Sequence, residues 1–127
     1  MASKIKLVKD DTGPQIVFSL KDAFTEEPID LSHASTSLAF YFRAVGSTTL
    51  KDTIVMSKLT GLQNGDGTIT YTAPYDTAGR GGRCAVPWNA TSLNTVGEFE
   101  GEIQITFNDG TIQTVYDIQK FSIRADF

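Results

Sequence analysis

The chain has few residues that could act as nucleophiles or metal ligands through sulfur or imidazole. Its 127 residues include one cysteine, Cys84, and one histidine, His33. A single cysteine excludes an internal disulfide and a zinc site built from several thiolates. We expect Cys84 to be a free, half-buried thiol. A nucleophilic cysteine needs a histidine beside it, and the sequence does not bring His33, in a polar turn, to Cys84.

Positive charge and long apolar runs are also scarce. Eleven lysines and arginines stand against fifteen aspartates and glutamates, so the net charge is −4 and the pI is near 4.8. Nucleic-acid binding normally needs a basic stripe, but the only concentrated basic element is the pair Arg80 and Arg83. No apolar run is long enough to cross a membrane, and the N-terminus, MASKIKLVKDD, is charged where a signal peptide needs an apolar core. These absences predict a cytoplasmically made protein that binds neither nucleic acid nor membrane.

Residues 97–123 dominate what the sequence does contain. Phe99, Ile103 and Ile105 alternate with glutamates and other polar residues, which is the period of two expected of a half-buried strand. Only Gly101 interrupts the apolar side. This stretch predicts a long strand with one face in the core.

A hairpin is predicted after that strand. The dipeptide Asp109-Gly110 favours a two-residue type I′ turn, whose twist matches the strands that it joins. Residues 112–118 carry their apolar side chains at even positions, whereas Phe121 and Ile123 lie at odd positions. We therefore expect a bulge or bend between residues 117 and 120, which lets one segment serve two sheets or turn a corner.

Shorter alternating runs predict further strands at Ile5–Val8, Gln15–Leu20, Leu38–Phe42 and Thr68–Thr72. Turn-forming residues separate these runs at a spacing of roughly ten residues, which is typical of β-sandwiches. No segment has a sustained helical period. The sequence predicts a single all-β domain over residues 1–127 with about six to eight strands.

Residues 73–95 differ in character, because glycine and proline crowd into a weakly patterned stretch. Such a stretch inside a compact domain usually marks a functional or interaction loop, and we assign this role to Tyr75, Arg80, Arg83 and Trp88. The GRGGR sequence at residues 79–83 could cradle an anion, contact carboxylates of a partner, or form a mobile solvated loop. The aromatic residues suit the core, a protein interface or sugar stacking.

Three other patterns invite a chemical interpretation. Residues 63–68 resemble part of a calcium loop, but the EF-hand spacing fails, so a plain hairpin turn is favoured. Glu98, Glu100 and Glu102 line one side of a strand, which favours a solvated face over a catalytic pair that must span a cleft. Asn89-Ala90-Thr91 matches a glycosylation sequon that we expect to be idle without secretion. We predict no catalytic residue, no cofactor and no metal site.

Several segments together resemble a known family. They are KIKLVKDDTGPQIVFSL near the start, LAFYFRAVGSTT in the middle and GEFEGEIQITFNDGTIQTVYDIQKFSI near the end. They are similar to the N-terminal domain of the baseplate upper protein of tailed bacteriophages. The resemblance implies an immunoglobulin-like antiparallel β-sandwich that acts in the virion as a non-enzymatic structural protein.

The partners implied by the resemblance are other virion proteins of the tail, baseplate or capsid, with homo-oligomers in the particle. In that family a long C-terminal extension follows the domain, whereas here the last predicted strand ends near Phe127. This difference leaves capsid decoration and a head-tail adaptor as alternatives. A glycan-binding module that uses Tyr75 and Trp88 is an alternative of another class, and a hydrolase lacks a recognisable constellation.

Overall fold

The computed structural model describes residues 4–13, 15–22, 24–89, 91–115, 118–125 and 127. Within these residues the chain forms eleven strands and no helix. The strands are β1 (Ile5–Val8), β2 (Ile16–Ser19), β3 (Ser37–Ala44), β4 (Asp52–Val55), β5 (Ser57–Lys58), β6 (Leu62–Gln63), β7 (Ile69–Thr70), β8 (Arg83–Val86), β9 (Gly97–Thr106), β10 (Ile112–Thr114) and β11 (Gln119–Arg124). The all-β prediction is confirmed. The expected strand number was too low, because β5, β6 and β7 have only two residues each and the last predicted strand is divided into β10 and β11.

The strands form two principal sheets. The larger sheet has the order β1–β11–β9–β3–β4, with β10 also paired to β9, and the second has the order β2–β8–β5. Immunoglobulin folds place strands C, F and G, extended by C′, in one sheet and strands B, E and D in the other. Here β3, β9 and β11 occupy positions C, F and G, β4 occupies C′, and β2, β8 and β5 occupy B, E and D. The chain is an immunoglobulin-like β-sandwich. It departs from the expected antiparallel arrangement at β1, which runs parallel to β11.

The long strand β9 follows the predicted alternation. Phe99, Ile103 and Ile105 are buried, while the residues between them are half-buried on the other face. Gly101 keeps the apolar side clear for a neighbouring ring, because a Cβ atom at this position would lie 2.1 Å from Cζ of Phe40. The glycine that interrupts the sequence pattern is therefore required by close packing between β3 and β9.

An aromatic cluster joins the two sheets, which antibody domains also link by a disulfide. Trp88, two residues after β8 of the smaller sheet, places its ring 5.2 Å from that of Phe42 on β3 of the larger sheet. Phe42 also stacks on Phe99 at 5.0 Å and meets the edge of Phe121 at 5.4 Å. Such pairs contribute about 0.5–1.5 kcal/mol each beyond the area that they bury. The core therefore does not depend on a covalent link between the sheets.

The turn between β9 and β10 is a hairpin, but it is not the predicted two-residue type I′ turn. The Phe107 amide donates to the Thr111 carbonyl at 2.8 Å, so three residues form the loop. Only Gly110 has a positive φ there, +87°, whereas a type I′ turn needs two such residues. The Asp109 carboxylate accepts hydrogen bonds from the amide and the hydroxyl of Thr111 at 3.0 and 2.6 Å. These bonds to the side chain stabilise the longer loop.

The expected irregularity beyond this turn is present, but its geometry differs from the prediction. Gln113 pairs with Ile105 and Gln119 pairs with Gly101, so five residues (114–118) lie opposite three (102–104). This two-residue insertion preserves the alternation and keeps β10 and β11 in one sheet. Ile112 and Ile118 consequently remain exposed, at 63% and 41%, while Phe121 faces the core. Of the two alternatives predicted, the one in which the segment serves two sheets was wrong, and residues 116 and 117 lie outside the described residues.

Candidate functional site

The glycine-rich part of residues 73–95 is a packed backbone crossing and not a mobile solvated loop. Gly79, Gly81 and Gly82 are buried. A Cβ atom at Gly81 would lie 2.2 Å from the Gly61 carbonyl oxygen, and one at Gly82 would lie 2.4 Å from the Leu20 carbonyl oxygen. The glycines are needed because backbone approaches backbone. Their amides and carbonyls serve the fold and do not form an open anion cradle.

The two arginines of this segment bind different partners. Arg80 is exposed and pairs with Asp30, with 3.6 Å between Nε and Oδ2. Arg83 donates from Nη1 to the Thr60 carbonyl at 2.6 Å. Partial burial opposes ionisation of Asp30, but hydrogen bonds from Ser32 and the charge of Arg80 hold the pKa of Asp30 below its usual value. The guanidinium groups therefore do not converge on one anion, and only Arg80 is well placed for a surface contact.

The predicted aromatic surface does not form. Trp88 is 6% exposed and lies in the core cluster, so the expectation that it contributes to an interaction surface was wrong. Its burial follows from the space between Phe40, Phe42 and Phe121 that its rings fill. Tyr75 is half-buried, and its carbonyl accepts the Gly61 amide at 2.7 Å. A sugar-stacking platform made from Tyr75 and Trp88 is therefore excluded.

The end of the same segment is fastened to β4. Asn89 Nδ2 and Ser92 Oγ donate to one carboxylate oxygen of Asp52 at 2.8 and 2.7 Å. Ser92 and Leu93 are fully buried. The side chain of the sequon asparagine is thus engaged within the protein, and residues 88–89 and 91–93 are part of the scaffold.

The remaining chemical candidates also have structural roles. Cys84 is fully buried, more than the half-burial expected, and its desolvation raises the pKa of the thiol to about 12. A thiol in this state does not act as a nucleophile near neutral pH. Asn64 closes a hairpin by donating from its amide to the Thr68 carbonyl at 2.8 Å, which confirms the plain turn. Among the described residues, no cluster of three or more histidine, cysteine or carboxylate groups could hold a metal ion.

The three glutamates of β9 lie on the outer face of the larger sheet, as expected. Glu98 pairs with Lys4, which together with Ser122 lowers its pKa. Glu100 pairs with Arg43 at 2.9 Å. These carboxylates share one strand and do not face each other across a cleft, so they lack the geometry of a glycosidase pair.

Sequence reasoning missed one surface, the side of strands β4, β3, β9 and β10 that faces away from the core. We call this surface the outer face. Outward side chains of a solvated sheet are expected to be polar. Here Val55 is 74% exposed and Ile112 is 63% exposed. Val55 lies opposite Ala39 on β3, which lies opposite Gln104 on β9. The weak signal in the sequence lies in residues 50–59, where Ile54 and Met56 fall on one parity and Val55 and Leu59 on the other, so neither face is clearly apolar.

A shallow hollow of about 70 Å³ lies on the outer face. Its size suits one inserted side chain, because ordinary small-molecule sites occupy about 300–1,000 Å³. Glu102 has no hydrogen-bond or ionic partner among the described residues, whereas Glu100 beside it is paired with Arg43. The hollow therefore offers a free carboxylate between apolar groups. It is lined by Tyr41, Arg43, Leu50, Glu100, Gly101, Glu102 and Ile118.

Comparison of the chain with known protein families, with curated proteins and with solved structures finds no match. The described part of the chain contains no helical segment that could traverse a bilayer. The surfaces of this molecule and the sequence resemblance described above are therefore what point to its function.

Proposed function

We propose that this protein is a non-enzymatic structural component of a tailed bacteriophage particle, positioned in the tail or baseplate, that acts through protein–protein contacts. The observation that carries the proposal is the exposure of Val55 and Ile112 on the outer face. Exposed apolar side chains rimmed by polar residues mark an interaction site when a partner covers them together. Val55 on β4 and Ile112 on β10 lie on the same face with β3 and β9 between them, so a partner that covers this face would remove both from water.

The hollow on the outer face adds chemical specificity to this contact. Leu50 and Ile118 provide apolar walls, and Glu102 provides an unpaired carboxylate. A lysine or arginine side chain can pack its aliphatic stem against such walls while its charged end meets the carboxylate. The favoured partner is therefore another virion protein that presents a basic side chain within an apolar surface.

The resemblance to the baseplate domain supports the same function independently of the surface. The resembling segments include β3 and β9, the central pair of the larger sheet, which carry much of the outer face. Capsid decoration or a head-tail adaptor would use a contact of the same chemistry. The identity of the neighbouring protein in the particle distinguishes these locations.

The proposal is tested by mass spectrometry of purified phage particles after chemical crosslinking. We expect the chain to be present, with crosslinks from Lys51 or Lys120 to a tail or baseplate protein. Crosslinks to the major capsid protein instead would contradict the tail or baseplate position. Absence of the chain from particles that contain every other structural protein would overturn the assembly function.

A further inference from the structure

A turn between β2 and β3 presents a phenylalanine to solvent. Phe24 is 97% exposed. The turn is closed by hydrogen bonds from the Asp22 amide to the Glu27 carbonyl and from the Glu26 amide to the Asp22 carbonyl, both at 2.9 Å. The Asp22 carboxylate also accepts the amides of Phe24 and Thr25 at 2.8 and 3.1 Å. An aromatic ring that is exposed beside a hydrogen-bonded backbone has the form of an interface anchor, since little conformational entropy is lost when it binds.

Negative charge surrounds this ring. Glu26 and Glu27 are exposed and Asp22 is half-buried, and Lys21 is the one cation among the described residues of the turn. A receptor for the ring must therefore combine an apolar floor with positive charge at its rim, because like charges opposite each other would oppose binding.

A hollow with these properties lies on β1 and β11 of the same molecule. It has a volume of about 190 Å³ and is lined by Lys6, Leu7, Val8, Ser122 and Arg124. A cavity of about 150 Å³ takes benzene, so the hollow is large enough for a phenylalanine ring. Lys6 is exposed and has no partner among the described residues.

The charges around the hollow favour the acidic turn. The nearest carboxylate on the neighbouring strand is that of Glu98, which is already paired with Lys4. The Arg124 guanidinium carbon lies 5.0 Å from the centroid of the Phe127 ring. Arg124 therefore makes a cation–π contact within its own chain, and a docked phenylalanine would make a contact of the same kind.

The turn and the hollow lie at opposite ends of the sandwich. The connection that carries Phe24 enters β3 at Ser37, opposite Thr106 at the end of β9, whereas Arg124 follows the pairing of Ile123 with Gly97 at the start of β9. The ten residues of β9 separate these ends by roughly 30 Å. The turn therefore cannot fill the hollow of its own molecule.

We propose that the Phe24 turn of one copy docks into the β1–β11 hollow of a second copy. The contact is head-to-tail, so a dimer keeps a free hollow on one copy and a free turn on the other, and repetition gives a ring or a filament. The inference rests on the proposed assembly function for its biological setting. It also specifies the first step of assembly, which the outer face does not.

The test measures self-association of the purified full chain by sedimentation velocity from micromolar to millimolar concentration. We expect the wild-type protein to form concentration-dependent oligomers. The substitution Phe24→Ala should weaken association at least about tenfold, and so should the double substitution K6E/R124E. Tyr71→Ala is the matched control, because Tyr71 is an exposed aromatic residue outside both surfaces and should leave association unchanged.

Mixing the two deficient variants gives a sharper result. F24A retains the hollow and K6E/R124E retains the turn, so an equimolar mixture should form a dimer and nothing larger. Wild-type protein that stays monomeric at millimolar concentration, or a mixture that stays monomeric, would overturn the proposal. Circular dichroism of each variant verifies that loss of association is not loss of folding.

The outcomes also separate this inference from the proposed function. If the chain is found in particles and F24A is incorporated as well as the wild type, the head-to-tail contact is wrong and the assembly function stands. If the chain is absent from particles but associates as described, the contact stands and the assembly function is wrong.

Discussion

The sequence suggests an interaction loop at residues 73–95 and a polar, solvated surface on the outer face, and the structure shows a different arrangement in both regions. The segment is rich in glycine and proline, yet its glycines are buried at backbone crossings and Trp88 fills the core. The outer face consists of regular strands, yet Val55 and Ile112 leave large apolar side chains in solvent. Irregular sequence therefore marks demanding packing in this protein, and regular strands carry the surface available to partners.

The largest test of this comparison is the substitution Trp88→Ala. Removal of a buried tryptophan should lower the free energy of unfolding by about 3–5 kcal/mol, because the ring contacts Phe40, Phe42 and Phe121. Urea denaturation measures the change. Tyr71→Ala is the control and should cost below about 1 kcal/mol, since Tyr71 is 56% exposed. If the two variants lost equal free energy of unfolding, Trp88 would not act as a core residue.

A single methyl group should also break the packed segment. Gly81→Ala places Cβ 2.2 Å from the Gly61 carbonyl oxygen, and we expect a loss of about 2–4 kcal/mol in the free energy of unfolding. Gly65→Ala adds the same methyl group where nothing lies within 4 Å and should change stability little. If both glycines accept alanine equally well in urea denaturation, the backbone crossing is not tight.

Acid should weaken the hairpin beside the outer face. Hydrogen bonds from the Thr111 hydroxyl and amide lower the pKa of Asp109. A carboxyl group whose pKa is lower in the folded state stabilises the protein at pH values above its unfolded-state pKa of about 3.9. That stabilisation is lost as the pH falls through the folded-state pKa. Asp109→Ala should therefore flatten the decline of stability between about pH 5 and pH 2, measured by thermal unfolding.

An exposed carboxyl provides the comparison for this effect. Asp76 makes no hydrogen bond or ion pair with its side chain among the described residues, so Asp76→Ala should leave the pH dependence close to that of the wild type. An unchanged profile for Asp109→Ala would show that the turn does not depend on its carboxylate.

The smallest expected change in stability is that of Phe24→Ala. The ring is 97% exposed, so the free energy of unfolding should stay within about 0.5 kcal/mol of the wild type. The same variant should lose self-association, which separates a binding role from a folding role. A large loss of stability in urea denaturation would show that Phe24 packs within its own molecule.

The parts of the fold that were predictable depend on local pattern. The alternation of Phe99, Ile103 and Ile105 is contained in one strand, and the resulting β9 has the predicted buried face. The requirement for Gly81 is set by Gly61, and that for Gly82 by Leu20. Such contacts between distant residues leave no periodic signal, so the same glycines suggested a loop.

The candidate surfaces were less predictable for the same reason. Trp88, which sequence reasoning placed in an interaction loop, is removed from the surface by three phenylalanine rings from two other strands. Ile112 is exposed because it pairs with Thr106, an outward residue of β9, and that register is not visible in the alternation of residues 112–118. Exposure of a single apolar side chain is a tertiary property, whereas the period of a strand is a local one.

The most direct test of the assembly function compares two valine-to-lysine substitutions in phage particles. Val55 lies on the outer face, and Val17 is an exposed valine on β2 of the smaller sheet. Because a lysine would place an unpaired charge in a buried contact, Val55→Lys should reduce incorporation into purified particles at least about tenfold. Val17→Lys should be incorporated like the wild type. Normal incorporation of Val55→Lys, with both variants folded, would contradict the claim that the outer face holds the protein in the particle.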